Sequence, residues 1–213
     1  TLSHRNLLNN GAIITLTMGM APGEAMCIPL PLYHCFAMVV GNIACMTMGA
    51  RMVYPGRGFD PGATLAAIAQ ERCVAVLGVP AMFIAELEHP DRAHLDLSSL
   101  RAGLIGGAPC PKALARRLVE EMGMADVAVG YGMTETSPVS LQCRKGDPLE
   151  KRIGTVGRAH AHLEIKLADP AGAIVPRGER GEVCVRGYAV MLGYWDEPEK
   201  TAQAIDAEGW LHT

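Results

Sequence analysis

The chain has 213 residues, 49% of them hydrophobic but only 5% aromatic, and carries a net charge of -3. This length is ample for a real core, while the mild negative charge gives no electrostatic footprint for a nucleic-acid partner. No apolar run nears the roughly 20 residues of a membrane span. Seven cysteines, an odd count without a Cys-x-x-Cys pair, read as reduced, buried thiols of a cytoplasmic protein better than as disulfides or a zinc site. Twelve methionines read mainly as gap-fillers in an aromatic-poor interior.

In chain order, Ser3 is placed to cap a first helix that turns Leu7, Leu8, Ile13 and Ile14 inward. Ala25–Leu30 reads as a strand and 35–49 as a buried helix, since Gly41 and Asn42 interrupt its apolar run. Asp60-Pro61 is an N-cap followed by proline at the first helical position, which starts a helix running to Arg72. Strand 74–77, helix 80–88, strand 102–106, helix 111–122 and strand 126–130 follow. This alternation predicts an α/β fold with a mainly parallel sheet flanked by helices, over residues 1–142. Beyond it, Cys143–Arg152 reads as a polar linker, and 143–213 as a β-rich unit. There Leu163–Ala168, Ile174-Val175 and Glu182–Arg186 are joined by Gly/Pro turns as a small β-meander or partial barrel, and Pro198–Ile205 forms a last short helix.

The most informative stretch is Tyr131-Gly132-Met133-Thr134-Glu135-Thr136-Ser137-Pro138, directly after the apolar run 126–130. A loop there lies at the carboxyl lip of the sheet, where open α/β sheets bind ligands. Tyr131 offers a ring face to a purine, Thr134 a donor to a phosphate oxygen, and Glu135 a hard oxygen ligand for Mg²⁺. The same residues also suit a polar strand-to-helix loop capped by Thr134 or Thr136. Gly106-Gly107-Ala108-Pro109, one β-α unit earlier, permits close approach of a flat ring to the backbone. It is not a dinucleotide Gly-x-Gly-x-x-Gly pattern. Cys35 beside His34 invites a thiol-nucleophile reading, which is set aside because neighbouring side chains at a helix start point apart.

The octet resembles the signature of the adenylate-forming enzymes, among them the acyl-CoA synthetases, luciferases and peptide-synthetase adenylation domains. Leu30-Pro31-Leu32-Tyr33-His34-Cys35-Phe36, Gly106-Gly107-Ala108-Pro109-Cys110-Pro111, Gly178-Glu179-Arg180-Gly181-Glu182-Val183, Met191-Leu192-Gly193-Tyr194-Trp195 and Gly209-Trp210-Leu211-His212-Thr213 match further blocks in family order. Through Tyr33–Phe36, Gly107–Cys110 and Gly187–Met191 the resemblance is nearest to medium-chain fatty-acyl-CoA synthetases. It implies an acid–thiol ligase using ATP, Mg²⁺ and coenzyme A, with small-molecule partners; a homo-oligomer stays open. By this resemblance Thr134, Glu135 and His34 are catalytic and Glu135 holds the metal. Gly106, Gly107, Ala108, Pro109, Tyr131, Gly132, Met133 and Thr134 bind nucleotide. His34, Phe36, Met38, Val39, Met133 and Val139 are candidates for the acyl wall. The family's phosphate loop, ribose-binding carboxylate and lid-domain lysine are not in this sequence. The stretch is therefore expected to be a piece of the large N-terminal domain that is inactive alone. The alternatives are an adenylation domain for an amino or aryl acid, disfavoured by the lack of an acidic residue in 30–49, and a non-catalytic nucleotide-binding module.

Overall fold

A computed structural model describes all 213 residues. Helix α1 (His4–Met18) begins with a reciprocal cap, Ser3 accepting from the Asn6 N–H while the Asn6 side chain accepts from the Ser3 N–H at 2.6 Å. Its inward face is not the expected apolar one. Leu8 is 57% exposed, Leu7 and Ile13 are half-buried, and of the four only Ile14 is fully buried. The buried stripe is Asn6, Asn10, Gly11, Ile14, Thr15 and Met18. Polar bonds set this rotation: Asn10 Nδ2 donates to Val139 O at 2.8 Å and its Oδ1 accepts from the Val139 N–H at 3.2 Å. Asn6 Nδ2 donates to the carbonyls of Tyr188 and Val190.

Two asparagines thus weld α1 to both parts of the molecule. Replacing Asn10 with leucine leaves a buried N–H and C=O without partners, so the variant loses about 2–4 kcal/mol, read as a lowered urea midpoint. Leu8→Ser, on the open face, stays within about 0.5 kcal/mol of the parent. Equal midpoints for the two variants would refute this account.

Strand β1 (Ala25–Cys27) is shorter than the expected 25–30, because Pro29 and Pro31 lack the N–H a strand needs. The segment expected as a plain helix over 35–49 starts as a wide turn of π-helix, Phe36–Ile43, where the Ala44 N–H reaches back to Val39 O. It then tightens into α2 (Ala44–Met48). Next come β2 (Arg51–Val53), α3 (Pro61–Glu71), β3 (Ala75–Gly78), α4 (Pro80–Glu88), β4 (Ala102–Ile105), α5 (Lys112–Met122) and β5 (Asp126–Gly132). Asp60 caps α3 by accepting from the Ala63 N–H at 2.7 Å. β2, β1, β3, β4 and β5 lie side by side and parallel, so the loops leaving β1, β4 and β5 emerge at one edge.

β6 (Val139–Gln142), not foreseen as a strand, runs antiparallel to β5, and β7 (Arg158–Ala159) extends the sheet to seven strands. The sheet therefore passes the expected division at residue 142. Nor is Cys143–Arg152 a linker. Cys143 is buried, and helix α6 (Leu149–Gly154) packs on β5 with buried Arg152 donating to Val127 O at 2.8 Å and to Asp147 O at 2.8 Å. Most of the segment stays at the surface, but a single arginine can lie inside when its guanidinium N–H groups are spent on backbone carbonyls.

The second sheet is antiparallel: β8 (Leu163–Ala168) pairs with β9 (Glu182–Gly187), which pairs with β10 (Leu211–His212). Ile174-Val175 contributes only an isolated bridge from Ile174 to Ala168. α7 (Pro198–Ala204) leads to β10. The fold is thus α/β, with a mostly parallel sheet followed by a small antiparallel one. Apolar clusters line both faces of the large sheet, one around Leu65, Phe83 and Leu118, the other around Ile14, Met26 and Leu104. All seven cysteines are free thiols.

Candidate active site at the carboxyl edge of the sheet

Parallel strands deliver three segments to one edge: His34–Phe36 after β1, Gly106–Cys110 after β4, and Tyr131–Pro138 from the end of β5. A cleft of about 510 Å³ is lined there by Gly107, Ala108, Pro109, Tyr131, Gly132, Lys112 from α5, and Ile153–Val156 from the end of α6 and the residues after it. This volume lies within the usual range for small-molecule sites. Gly107 sits at φ +78°, in the left-handed region, with Val79 3.3 Å from where a Cβ would stand. Glycine is the residue that fits there.

Beside the cleft lies a narrow apolar slot of about 70 Å³, whose walls include His34, Phe36, Leu104, Met133, Pro138 and Val139. Glycines keep it open: a Cβ on Gly130 would come 3.1 Å from Leu104, and one on Gly106 3.4 Å from Phe36. Cleft and slot share Gly107, Gly130, Tyr131 and Gly132. Of the residues expected at an acyl wall, His34, Phe36, Met133 and Val139 line this slot. Met38 is 41% exposed and Val39 is packed into the core, so neither lines the slot.

The octet forms a short 3-10 turn, Thr134–Thr136, clamped from several sides. Thr136 Oγ1, fully buried, accepts from the Met133 N–H at 3.1 Å and donates to Pro138 O at 2.8 Å. Ser137 Oγ donates to Ala189 O at 2.6 Å. These two hydroxyls hold the turn, which leaves Thr134 exposed and Glu135 half-exposed toward the edge. A Cβ on Gly132 would stand 1.7 Å from Pro138 O, so this backbone approach admits glycine alone.

Glu135 is aimed by Tyr194, whose hydroxyl donates to Oε1 at 2.9 Å. That bond raises the Tyr194 hydroxyl above its usual value, with burial adding to it. The second oxygen, Oε2, makes no hydrogen bond within the protein, and a carboxylate oriented this way suits a hard cation. The Tyr131 hydroxyl lies 2.8 Å from Thr213 Oγ1, which donates to Val183 O at 2.8 Å, so the small sheet fixes the Tyr131 ring. His34 Nδ1 accepts from the Phe36 N–H at 3.0 Å. Accepting there leaves the ring proton on Nε2.

One expectation about side-chain direction fails. Cys35 Sγ is 3.8 Å from His34 Nδ1 and 3.3 Å from Thr134 Oγ1, so the adjacent His34 and Cys35 side chains turn toward each other. His34 folds back to cap its own helix start, which brings its ring to the thiol. Tyr194 and Thr213 lie in the Met191–Trp195 and Gly209–Thr213 blocks, the one signal in the sequence that could point to them as supports; nothing in the sequence marks Lys112, Thr155 and Val156 as cleft walls.

The AMP-binding enzyme family pattern matches residues 1–195. This chain belongs to the AMP-binding enzymes. Among curated relatives it is 44% identical over 216 residues to the acyl-CoA ligase sidI of Aspergillus fumigatus, covering all of this chain and 37% of that protein. It is 42% identical over 216 residues to the mitochondrial medium-chain acyl-CoA ligase ACSF2 of Danio rerio, covering all of this chain and 36% of that one. The ATP-bound crystal structure of MatB from Rhodopseudomonas palustris superposes with a TM-score of 0.89 at 29% identity, covering all of this chain and 41% of that one. The chain thus spans well under half the length of these AMP-binding relatives.

Proposed function

We propose that the whole protein containing these residues is an ATP-dependent fatty acid–coenzyme A ligase. The observation that carries this reading is that a nucleotide-sized cleft and a narrow apolar slot share one wall at Gly130–Gly132. A slot of this size takes the first few carbons of an acyl chain, and the carboxylate they carry would lie where the cleft begins. Attack of that carboxylate on the α-phosphorus of ATP gives an acyl-adenylate and pyrophosphate. The thiol of coenzyme A then forms the thioester and releases AMP. The acyl-CoA ligases among the relatives support the same reading.

Each residue has a role in keeping with its surroundings. The Tyr131 ring and the Gly107–Pro109 backbone hold adenine, with Gly106, Gly132 and Met133 shaping the adjoining wall. Thr134 Oγ1 donates to a phosphate oxygen. His34, with its proton on Nε2, donates to the acyl oxygen at the slot mouth. Glu135 would hold Mg²⁺, which would supply positive charge to the phosphates as charge develops on them.

The slot has no acidic lining residue, so an amino acid's ammonium would be desolvated there without a partner. Straight-chain acids are expected to be preferred, each buried methylene adding about 0.8 kcal/mol, or about fourfold in kcat/KM, until the slot is full. Acid-dependent ATP–pyrophosphate exchange by the whole protein, compared across straight-chain fatty acids, aryl acids and amino acids, tests this. Leucine or alanine activated as well as octanoate would defeat the proposal.

A further inference from the structure

At the far side of the small sheet, a cluster of unlike ligating atoms lies apart from the cleft. Glu182 and Cys184, two apart on β9, point to the same face, and β10 brings His212 opposite Cys184. One ligand atom from each of the three lies within 4.8 Å of the others. His212 Nδ1 is 2.8 Å from Glu182 Oε2 and 3.5 Å from Cys184 Sγ. We propose that Glu182, Cys184 and His212 form a binding site for a thiophilic divalent cation such as Zn²⁺, with Asp206 orienting the histidine.

Two features carry the assignment. First, the spacing fits. Ordinary Zn–S and Zn–N bonds at a tetrahedral ion set S···N at about 3.6 Å, and Zn–N and Zn–O bonds set N···O at about 3.4 Å. The sulfur–nitrogen pair already stands at its value. Glu182, whose side chain is 41% exposed, has to draw back from His212 by about half an ångström and settle beside Cys184 Sγ, which lies within 4.8 Å of it.

Second, the histidine has the outer partner that metal-bound imidazoles use. Its Nε2 faces Asp206 Oδ2 at 3.4 Å, while Asp206 Oδ1 is fixed by the N–H groups of Glu208 and Trp210, both at 2.9 Å. Metal binding would displace the Cys184 thiol proton to solvent. Three protein ligands leave a fourth position for water. Because Thr213 follows His212 directly and meets the Tyr131 hydroxyl, occupancy would stiffen the support of that ring.

Co²⁺ titrated into the purified protein serves as the spectroscopic probe for Zn²⁺. The expected result is a thiolate-to-cobalt charge-transfer band saturating at one equivalent and abolished by Zn²⁺. The band persists in Cys35→Ser and is lost in Cys184→Ser and in His212→Gln, with far-ultraviolet circular dichroism unchanged. Asp206→Asn keeps the oxygen that accepts the two backbone N–H groups but loses the acceptor for Nε2, so Zn²⁺ affinity falls about ten- to a hundredfold. No band in the parent protein, or a band that survives Cys184→Ser, overturns the site. Unchanged Zn²⁺ affinity in Asp206→Asn overturns the role given to Asp206.

Discussion

Glu135→Gln in the whole protein is expected to lower acid-dependent ATP–pyrophosphate exchange about a hundredfold or more. The amide is nearly the same size and keeps the backbone carbonyl that accepts from the Met191 N–H at 2.9 Å, so the turn stays folded. What changes is charge at the free oxygen facing the edge. A neutral amide binds a hard dication far less well than a carboxylate, and losing one such contact at a developing charge costs several kcal/mol. Tyr194→Phe provides the graded companion. It removes the hydroxyl that donates to Glu135 Oε1 but leaves the charge, so activity falls about ten- to a hundredfold, as for other groups that orient a metal ligand. Raising Mg²⁺ partly restores the Phe variant and does little for the Gln variant. Near-normal exchange by Glu135→Gln would remove Glu135 from the proposed mechanism.

The second large effect is on stability, at a residue remote from the proposed chemistry. Glu86, on α4, is completely buried and neither carboxylate oxygen has a hydrogen-bond partner. Burial lifts its pKa from 4.5 to about 8. The unfolded chain therefore loses this proton near pH 4.5, whereas the folded protein keeps it to about 8. Between those values unfolding releases a proton, so the Glu86 contribution falls as pH rises and is fully lost above about 8. The whole span corresponds to about 5 kcal/mol.

His160 opposes it at the acid end. Burial and then Arg144 push its pKa down from 6.5 to about 4. Over that range the unfolded chain holds the extra proton, so this contribution rises with pH and is complete near 6.5. The two slopes largely cancel below pH 6.5, leaving the Glu86 decline of about 2 kcal/mol between about 6.5 and 8. His212, whose imidazole Glu182 raises above its usual value, also loses its contribution as pH rises through that elevated value. Glu86→Met isolates the carboxyl, being apolar and similar in length. Urea unfolding across this window should show the variant gaining on the parent as pH rises, and exceeding it by several kcal/mol above pH 8. Parallel stability curves for the two proteins would mean that Glu86 is not the buried, unpaired acid described.

Local signals were legible wherever neighbours in sequence supply the physics. Asp60-Pro61 started α3 because a side-chain cap and a fixed φ act within one turn. Short apolar runs separated by amphipathic stretches placed β3, β4, β5, α4 and α5, since burial on both sheet faces and periodic burial on a helix each leave a pattern in the chain. Gly-Tyr-Gly at the end of β5 located the edge where Tyr131, Thr134 and Glu135 gather. The matching blocks along the chain were sufficient to indicate the AMP-binding family.

What the tertiary structure alone decided are matters of partnership. The rotation of α1 came from Asn6 and Asn10 reaching backbone groups more than a hundred residues away, against the hydrophobic pattern of Leu7 and Leu8. Arg152 is inside because Val127 O awaits it, and a polar run cannot announce that. Tyr194 reaches Glu135 across 59 residues and Thr213 reaches Tyr131 across 82. Cys184 lies in no Cys-x-x-Cys pair, which disfavoured zinc on sequence. Yet strand alternation sets it on one face with Glu182, and antiparallel pairing adds His212. Capping, periodicity and turn chemistry act over a few residues and so are written along the chain. The choice of a buried polar group's partner is made only when the sheets close and desolvation makes every unpaired donor and acceptor costly.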